Sequence, residues 1–182
     1  IRRQRQMCIR DRCESLALDN GLAERFLEML ELARPKSVGL FWPIRSEPGL
    51  LSVARDWLKR TGGLIYLPET RPDCMIYRLW HEGAELRKDC AGIPYPQGEE
   101  ASKPPAMVVA PCVGYAESCR RLGYGGGYFD RYLASYGNQR PLAVGVAFDE
   151  LRVPEEIFES FDEPLDAVVT ERRIILKATA PL

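Results

Sequence analysis

Four glycines lie within residues 123–127, and no other part of the chain is as rich in glycine. Glycine adopts positive φ without steric cost and has no side chain to keep an anion away. Successive backbone N–H groups in such a loop can form a concave nest around a phosphate. Arg120 and Arg121 place cationic groups before the loop, and Asp130 offers a hard oxygen ligand for Mg²⁺ after it. The stretch therefore predicts a phosphate and metal site.

A helix is predicted directly after the glycines, over residues 128–136, with Gly137 as its stop. The free amides and the dipole at a helix start favour negative charge. A plainer interpretation stays open, because glycine clusters often form simple turns and an acid in the first turn often only complements the dipole. The loop is not a Walker A motif, since no Lys-Ser or Lys-Thr follows. It also fails the dinucleotide fingerprint, because Tyr128 stands where the last glycine should be.

Glu47 is the second residue with chemical potential, because it follows a predicted strand in a loop flanked by prolines. A carboxylate there can accept hydrogen bonds from a donor-rich heterocycle. Trp42 supplies an aromatic face on which that heterocycle can stack. The alternative is a solvated loop glutamate and a core tryptophan. Tyr124 and Tyr128 are equally ambiguous, since a tyrosine beside glycines often only packs over the loop.

The apolar pattern alternates between helix-like and strand-like segments. One helix ends before Pro35, a strand follows over 37–42, and a second helix runs from Pro48 to the Gly62-Gly63 stop. A strand at 64–67 completes a strand–helix–strand unit, which makes the sheet parallel at its beginning. Further strands are predicted at 75–80, 84–87, 107–110, 142–148, 167–169 and 173–176, with a loop over 92–105 and a short helix over 154–158. The sequence therefore predicts a three-layer α/β fold with a largely parallel central sheet.

Ligands bind beyond the carboxyl ends of the strands in such sheets. Residues 42–47 follow the first strand, the glycine loop follows the strand at 107–110, and Asp149 follows the strand at 142–148. Strand order alone therefore brings these three segments to one edge.

Composition limits the classes of function. The chain has 182 residues, 46% of them hydrophobic, and a net charge of −1, which fits one globular domain and argues against a general nucleic-acid binder. No apolar run is long enough to span a membrane, and no signal peptide is visible. Six cysteines without a C-x-x-C pair and a single histidine indicate a reduced, cytoplasmic protein without zinc. Residues 1–13 lack periodicity and an initiator methionine. We interpret them as a doubtful segment, with a basic arm as the alternative, and expect one monomeric domain over 14–182.

Residues 121–131, Arg-Leu-Gly-Tyr-Gly-Gly-Gly-Tyr-Phe-Asp-Arg, resemble the signature of the 5-formyltetrahydrofolate cyclo-ligase (5,10-methenyltetrahydrofolate synthetase) family. Other segments agree in order: Phe-Trp-Pro-Ile-Arg-Ser-Glu-Pro at 41–48, Gly-Ile-Pro-Tyr-Pro at 92–96, Val-Val-Ala-Pro at 108–111 and Asp-Glu-Pro-Leu-Asp-Ala-Val-Val-Thr-Glu at 162–171. The resemblance covers residues 15–176. It implies a Rossmann-like α/β/α sandwich of the NagB/RpiA/CoA-transferase type.

The resemblance also implies a reaction: ATP- and Mg²⁺-dependent conversion of 5-formyltetrahydrofolate to 5,10-methenyltetrahydrofolate, with release of ADP and phosphate. The implied ATP-binding residues are Arg121, Leu122, Gly123, Tyr124, Gly125, Gly126, Gly127, Tyr128 and Phe129. The implied substrate-binding residues are Trp42, Glu47, Tyr124, Gly125, Gly126, Gly127 and Tyr128. Arg121 and Tyr128 are the implied catalytic residues, and Asp130 and Asp162 the implied metal ligands. A basic N-terminal residue that contacts ATP in the family has no assigned counterpart in this chain.

Two departures from the family pattern leave alternatives open. Phe161 stands where the family commonly has histidine, and Ala116 stands where many members have aspartate, although Glu117 could substitute for that acid. A non-catalytic folate- or nucleotide-binding module of the same fold is therefore one alternative. An NAD(P)-binding oxidoreductase is the other, and it would require a tight strand–glycine–helix turn.

Overall fold

The computed structural model describes residues 12–45, 47–158 and 163–180, with side chains from residue 19 onward. Residues 1–11 of the doubtful N-terminal segment lie outside this part of the chain. The predicted metal ligand Asp162 and the departure at Phe161 also lie outside it.

The strands are β1 (Ser37–Gly39), β2 (Leu64–Thr70), β3 (Met75–Trp80), β4 (Leu86–Lys88), β5 (Pro94–Pro96), β6 (Met107–Pro111), β7 (Gly114–Tyr115), β8 (Arg121–Leu122), β9 (Leu142–Val146), β10 (Ala167–Val169) and β11 (Ile174–Leu176). In the described residues, seven of them form a central sheet in the order β11-β10-β9-β6-β1-β2-β3. The five inner strands run parallel, and the edge strands β3 and β11 are antiparallel to their neighbours. The prediction of a largely parallel sheet is confirmed.

In the part of the chain that the structure describes, three α-helices cover the sheet: α1 (Arg12–Ala33), α2 (Leu51–Thr61) and α3 (Tyr128–Ala134). The apolar sides of α1 and α2 pack on one face with Met107, Val109 and Val144, whereas α3 packs on the other with Val108 and Ala143. Successive residues of β6 therefore point to opposite faces, as strand geometry requires. This arrangement has the three layers that were predicted. No helix within the described ranges is both long and apolar enough to cross a membrane.

The unit β1–α2–β2 follows directly from its sequence. Ala54, Trp57 and Leu58 are buried along one side of α2, at helical spacing. Gly62 then ends the helix in the left-handed region with φ +74°, which glycine adopts without a Cβ penalty. The chain returns to pair β2 parallel to β1.

The pairing of the strands around the 81–83 turn differs from a simple hairpin. β4 pairs with β5 rather than with β3, so the predicted loop over 92–105 contains a strand. The outer edge of β3 is already occupied: Leu79 donates its N–H to Glu99 at 2.8 Å, and Ala101 donates to Tyr77 at 2.8 Å. Because these backbone groups are taken, β4 finds its partner elsewhere.

The segment between β6 and α3 also shows more structure than predicted. A short hairpin, β7–β8, precedes the glycine loop. Helix α3 ends at Ala134, two residues earlier than expected, because Tyr136 donates its N–H to Leu133 in a tighter turn. Gly137, the predicted stop, adopts φ +50° at the start of a 3₁₀ turn.

β1 and β6 are neighbours in the sheet, but the chain leaves them in opposite directions. After β1 it continues to β2 and β3 on one side, and after β6 it continues to β9 and β10 on the other. This is a topological switch point, and a crevice opens beyond the carboxyl ends of two such strands.

Candidate active site

A cleft lies at this end of the sheet and joins the segments that follow β1, β6 and β9. Its lining includes Glu47, Pro48, Pro111, Cys112, Val113, Tyr124, Val146, Ala147, Phe148 and Leu151. Glu47 comes from the loop after β1, whereas Tyr124 belongs to the glycine loop, residues 123–127. The structure therefore brings the two most distinctive predicted segments to one cleft.

Glu47 is held by a tight turn. Its N–H donates to the carbonyl of Ile44 at 3.1 Å, and its Oε2 accepts the N–H of Ile44 at 2.8 Å. Arg45, inside the turn, has φ +55°, in the left-handed region that is strained for a residue with a side chain. Burial raises the pKa of Glu47, and the opposing interactions with Ile44, Tyr124 and Arg45 do not cancel this effect. The carboxylate is thus poorly solvated and oriented by the backbone.

Tyr124 connects the glycine loop to this turn. The guanidinium carbon of Arg45 lies 5.0 Å from the centre of the Tyr124 ring, a cation–π distance. Burial raises the pKa of the Tyr124 hydroxyl, and the nearby Glu47 carboxylate raises it further.

Arg45 was not predicted as a site residue, because neither its left-handed φ nor its contact with a residue far along the chain is visible in the local sequence.

The glycine loop has the backbone expected of an anion-binding nest. Gly125 has φ +92° and Gly127 has φ +63°, whereas Gly126 between them is outside the left-handed region. Alternation of this kind directs successive N–H groups towards the same side. Gly123, Gly125 and Gly126 are exposed, so a ligand can approach the loop.

Arg121 packs against the glycine loop from the protein side and is only 6% exposed. Its Nη2 donates to Oδ2 of Asp130 at 3.2 Å, and its guanidinium carbon lies 5.0 Å from the centre of the Phe129 ring. A Cβ on Gly123 would lie 2.7 Å from Nη1 of Arg121, so a side chain at this position would displace the guanidinium. Its buried Nε has no hydrogen-bond partner among the described residues. The cation is therefore fixed between the loop and α3.

A sequence profile of the 5-formyltetrahydrofolate cyclo-ligase family matches residues 1–171. The chain belongs to this family. The 5-formyltetrahydrofolate cyclo-ligase of Escherichia coli K12 is 31% identical over 124 residues, which are 64% of this chain and 68% of the relative. The cyclo-ligase of Haemophilus influenzae is 23% identical over 155 residues, 81% of this chain and 82% of that protein. The resemblance drawn from the glycine loop is confirmed.

Solved structures agree with the fold. The 5,10-methenyltetrahydrofolate synthetase of Aquifex aeolicus superposes with a TM-score of 0.71 at 27% identity, covering 88% of this chain and 84% of its own. The synthetase of Mycoplasma pneumoniae gives 0.70 at 22% identity, covers 93% of both chains and supports the fold alone. The predicted α/β class and the prediction of a cyclo-ligase enzyme are therefore confirmed.

The other predicted residues of the family signature are placed as follows. Leu122 lies in β8 and Phe129 in α3, on either side of the glycine loop. Tyr128 is the first residue of α3 and is half-buried, with its ring against the guanidinium of Arg131. Trp42 packs partly against the α1–α2 core cluster and does not line the cleft around Glu47. Its contact with substrate stays a prediction.

The acids assigned to metal or catalytic roles have different surroundings. Asp130 faces Arg121, and the Asp162 ligand stays a prediction because it lies outside the described residues. No group of three Asp, Glu, His or Cys side chains forms a metal site within the described ranges. Glu117, considered as a substitute acid, is exposed and paired with Arg152 at 3.1 Å and Arg173 at 2.6 Å. These ion pairs engage its carboxylate at the surface, and its role as the substitute acid stays a prediction.

Proposed function

We propose that the protein converts 5-formyltetrahydrofolate to 5,10-methenyltetrahydrofolate with ATP and Mg²⁺, releasing ADP and phosphate. The observation that carries this proposal is the shared cleft at the switch point, where Glu47 and the glycine loop meet. Membership of the cyclo-ligase family supplies the substrate class. Glu47 lines the cleft, and the loop amides proposed to bind an anion directly follow Tyr124, which also lines it.

Glu47 would receive the pterin ring. Its carboxylate is fixed by the Ile44 amide and removed from bulk water, which strengthens a hydrogen bond from an N–H donor of the ligand. Tyr124, which interacts with Glu47 in the free protein, would shift as the pterin enters. The glycine loop would therefore adjust when the folate binds.

The glycine loop would receive the phosphates of ATP. The amides of Gly125, Gly126 and Gly127 supply the donors, and Arg121 supplies a positive charge behind them. The short helix α3 adds little, so the argument rests on the loop amides rather than on a helix dipole. Because Arg121 is buried, its positive charge would stay in a fixed position while the γ-phosphoryl group of ATP is transferred.

Asp130 has a carboxylate oxygen of the kind that Mg²⁺ prefers as a ligand. Its Oδ2 is engaged by Arg121, whereas Oδ1 carries no hydrogen bond from the described residues and is a free hard oxygen. Mg²⁺ usually takes one or two carboxylates and completes its shell with phosphate oxygens and water. Bound Mg²⁺ would neutralise charge on the ATP phosphates. Asp130 and, by the family resemblance, Asp162 would hold it.

The proposed reaction has two displacements. The formyl oxygen of the folate attacks the γ-phosphorus of ATP, and ADP leaves. N10 then attacks the formyl carbon and releases its proton to water or to the departing phosphate, the ring closes, and the C–O bond to the phosphorylated oxygen breaks to release phosphate. Phosphoryl transfer depends mainly on positioning and charge neutralisation. Arg121 and the loop amides would supply the charge, while Glu47 and Tyr128 would hold the substrate for an effectively intramolecular attack.

The test is to incubate purified protein with 5-formyltetrahydrofolate, ATP and Mg²⁺ and to follow the methenyl chromophore. We expect enzymatic formation that requires both ATP and Mg²⁺ and is lost in Asp130→Ala. Asp56→Ala, an exposed carboxylate on α2, is the matched control and should keep full activity. Folate binding without turnover would instead favour a non-catalytic module, and nicotinamide binding without folate binding would favour an oxidoreductase.

A further inference from the structure

Arg131 contacts the glycine loop at Gly126 and Gly127, whereas Arg121 approaches it at Gly123. Arg131 is the fourth residue of α3, and its Nη1 donates to the carbonyl of Gly126 at 2.9 Å. Its guanidinium carbon also lies 4.8 Å from the centre of the Tyr128 ring. A Cβ on Gly127 would lie 2.9 Å from Nη1, so the guanidinium is packed directly against the loop backbone.

The hydrogen bond to Gly126 determines which way one peptide faces. The carbonyl of Gly126 and the N–H of Gly127 belong to the same planar trans unit and point in opposite directions. With the carbonyl directed at Arg131, the N–H of Gly127 is directed away from Arg131. If this peptide rotated, a carbonyl oxygen would replace an amide donor on that side and repel a phosphate.

Nothing in the residues themselves prevents that rotation. Gly126 and Gly127 adopt positive and negative φ about equally readily, so the flipped peptide is sterically open to them. An external hydrogen-bond donor is therefore needed to select one orientation. Arg131 supplies that donor, and the Tyr128 ring supports the plane of its guanidinium.

We propose that Arg131 is a positioning residue for ATP binding, which keeps the Gly126–Gly127 peptide oriented with its N–H towards the bound phosphates. This inference rests on the proposed function, because it assumes that the glycine loop binds phosphate. Arg131 is exposed and its hydrogen bond lies at the surface, so its contribution to the stability of the free protein is small. Its effect should appear in ATP binding.

The experiment compares Arg131→Met, Arg131→Lys and the control Arg60→Met, an arginine at the exposed end of α2. Steady-state rates are measured with ATP and folate varied separately, together with the thermal midpoint of each free protein. For Arg131→Met we expect KM for ATP to rise about tenfold, the effect of losing one charge-assisted hydrogen bond, with KM for folate within about twofold. Arg131→Lys should be intermediate, because an ammonium can donate to the carbonyl but does not lie flat on the ring.

A direct readout of the peptide comes from glycine-selective ¹⁵N labelling. The Gly127 amide resonance should shift on saturation with ADP in the wild type and in Arg60→Met, and should shift much less in Arg131→Met. An equal shift in Arg131→Met, an unchanged KM for ATP, or a parallel rise in both KM values with a lower thermal midpoint would overturn the inference. Failure of the wild type to bind ADP would instead overturn the proposed function, so the two failures are distinguishable.

Discussion

The guanidinium of Arg121 donates to the carboxylate of Asp130 across 3.2 Å, so the buried cation behind the glycine loop and the proposed metal ligand form one unit. The side chain of Arg121 is 4% exposed and that of Asp130 is 27% exposed. Removing either partner therefore affects both the fold and the site, and a useful experiment must separate these effects.

Arg121→Met should lose both stability and activity. It leaves the Asp130 carboxylate without its partner, and breaking a buried ion pair costs about 3–5 kcal/mol, so for this partly exposed acid we expect about 2 kcal/mol. Asp130→Asn keeps an acceptor for Arg121 but leaves that buried guanidinium without its counter-charge, so it should also cost about 2 kcal/mol, and it removes the charge that binds Mg²⁺. Urea unfolding and methenyl formation measure the two effects. Full activity in Asp130→Asn would remove Asp130 from the proposed metal site.

Gly125→Ala and Gly83→Ala form a matched pair. Both glycines have positive φ, +92° and +81°, and an added Cβ would meet no atom within 4 Å at either position. Each substitution should therefore destabilise the protein by about 1 kcal/mol through backbone strain alone. Only Gly125→Ala should also raise KM for ATP, because Gly125 belongs to the glycine loop and Gly83 to the turn between β3 and β4. Equal KM values in the two variants would show that Gly125 has no specific role in nucleotide binding.

Glu47→Gln should separate stability from function. Burial raises the pKa of Glu47 above its ordinary 4.5, so the folded protein binds this proton more tightly than the unfolded chain. Its contribution to stability is complete below the unfolded pKa and is lost as pH rises through the folded pKa. The variant has no such proton. Its free energy of unfolding relative to the wild type should therefore increase from pH 4.5 upward and then level off.

Urea unfolding of Glu47→Gln across that pH range provides the measurement, with the exposed Glu24→Gln as control. The glutamine oxygen can still accept the Ile44 N–H, so the turn should persist. Folate affinity should nevertheless fall by about tenfold or more, because a charged acceptor is lost. If the free energy of unfolding of Glu47→Gln instead fell relative to that of the wild type as pH rises, the assigned direction of the pKa shift would be contradicted.

The four cysteines whose side chains the structure describes should fall into two classes of reactivity. Cys74 and Cys90 are exposed, whereas burial raises the pKa of Cys112 to about 12 and that of Cys119 to about 11. Because the thiolate is the reactive form, an alkylating reagent at neutral pH should modify the first two and leave the buried pair intact until the protein unfolds. Peptide mass mapping measures the order, with protein in denaturant as the control. Rapid labelling of Cys112 in the folded protein would indicate local opening of the cleft.

The layers of the fold and the meeting of Glu47 with the glycine loop at one cleft were predictable from the sequence. Prolines, glycines and apolar periodicity set the start of β1, the end of α2 and the start of β2, because those signals act on neighbouring residues; the other end of each element differs from the prediction by three residues. The shared edge of Glu47 and the glycine loop followed from the rule that parallel strands place their carboxyl ends together.

Strand pairing and side-chain contacts were harder to predict from the sequence. β4 pairs with β5 because the edge of β3 is occupied by residues about twenty positions away, and periodicity does not report such long-range contacts. Arg45 and Arg131 were not predicted as site residues, for a related reason. Each is an ordinary surface arginine in sequence, and only the folded backbone directs one at Tyr124 and the other at Gly126.

The segment that runs beside β3 has a consequence for association between molecules. Glu99 and Ala101 bond to its backbone, and Gly98 approaches so closely that a Cβ would lie 2.0 Å from the carbonyl oxygen of Leu79. Unprotected sheet borders recruit strands from other chains and so seed aggregates. Here the chain shields that border with its own backbone, so intermolecular strand addition at β3 would first require this segment to detach.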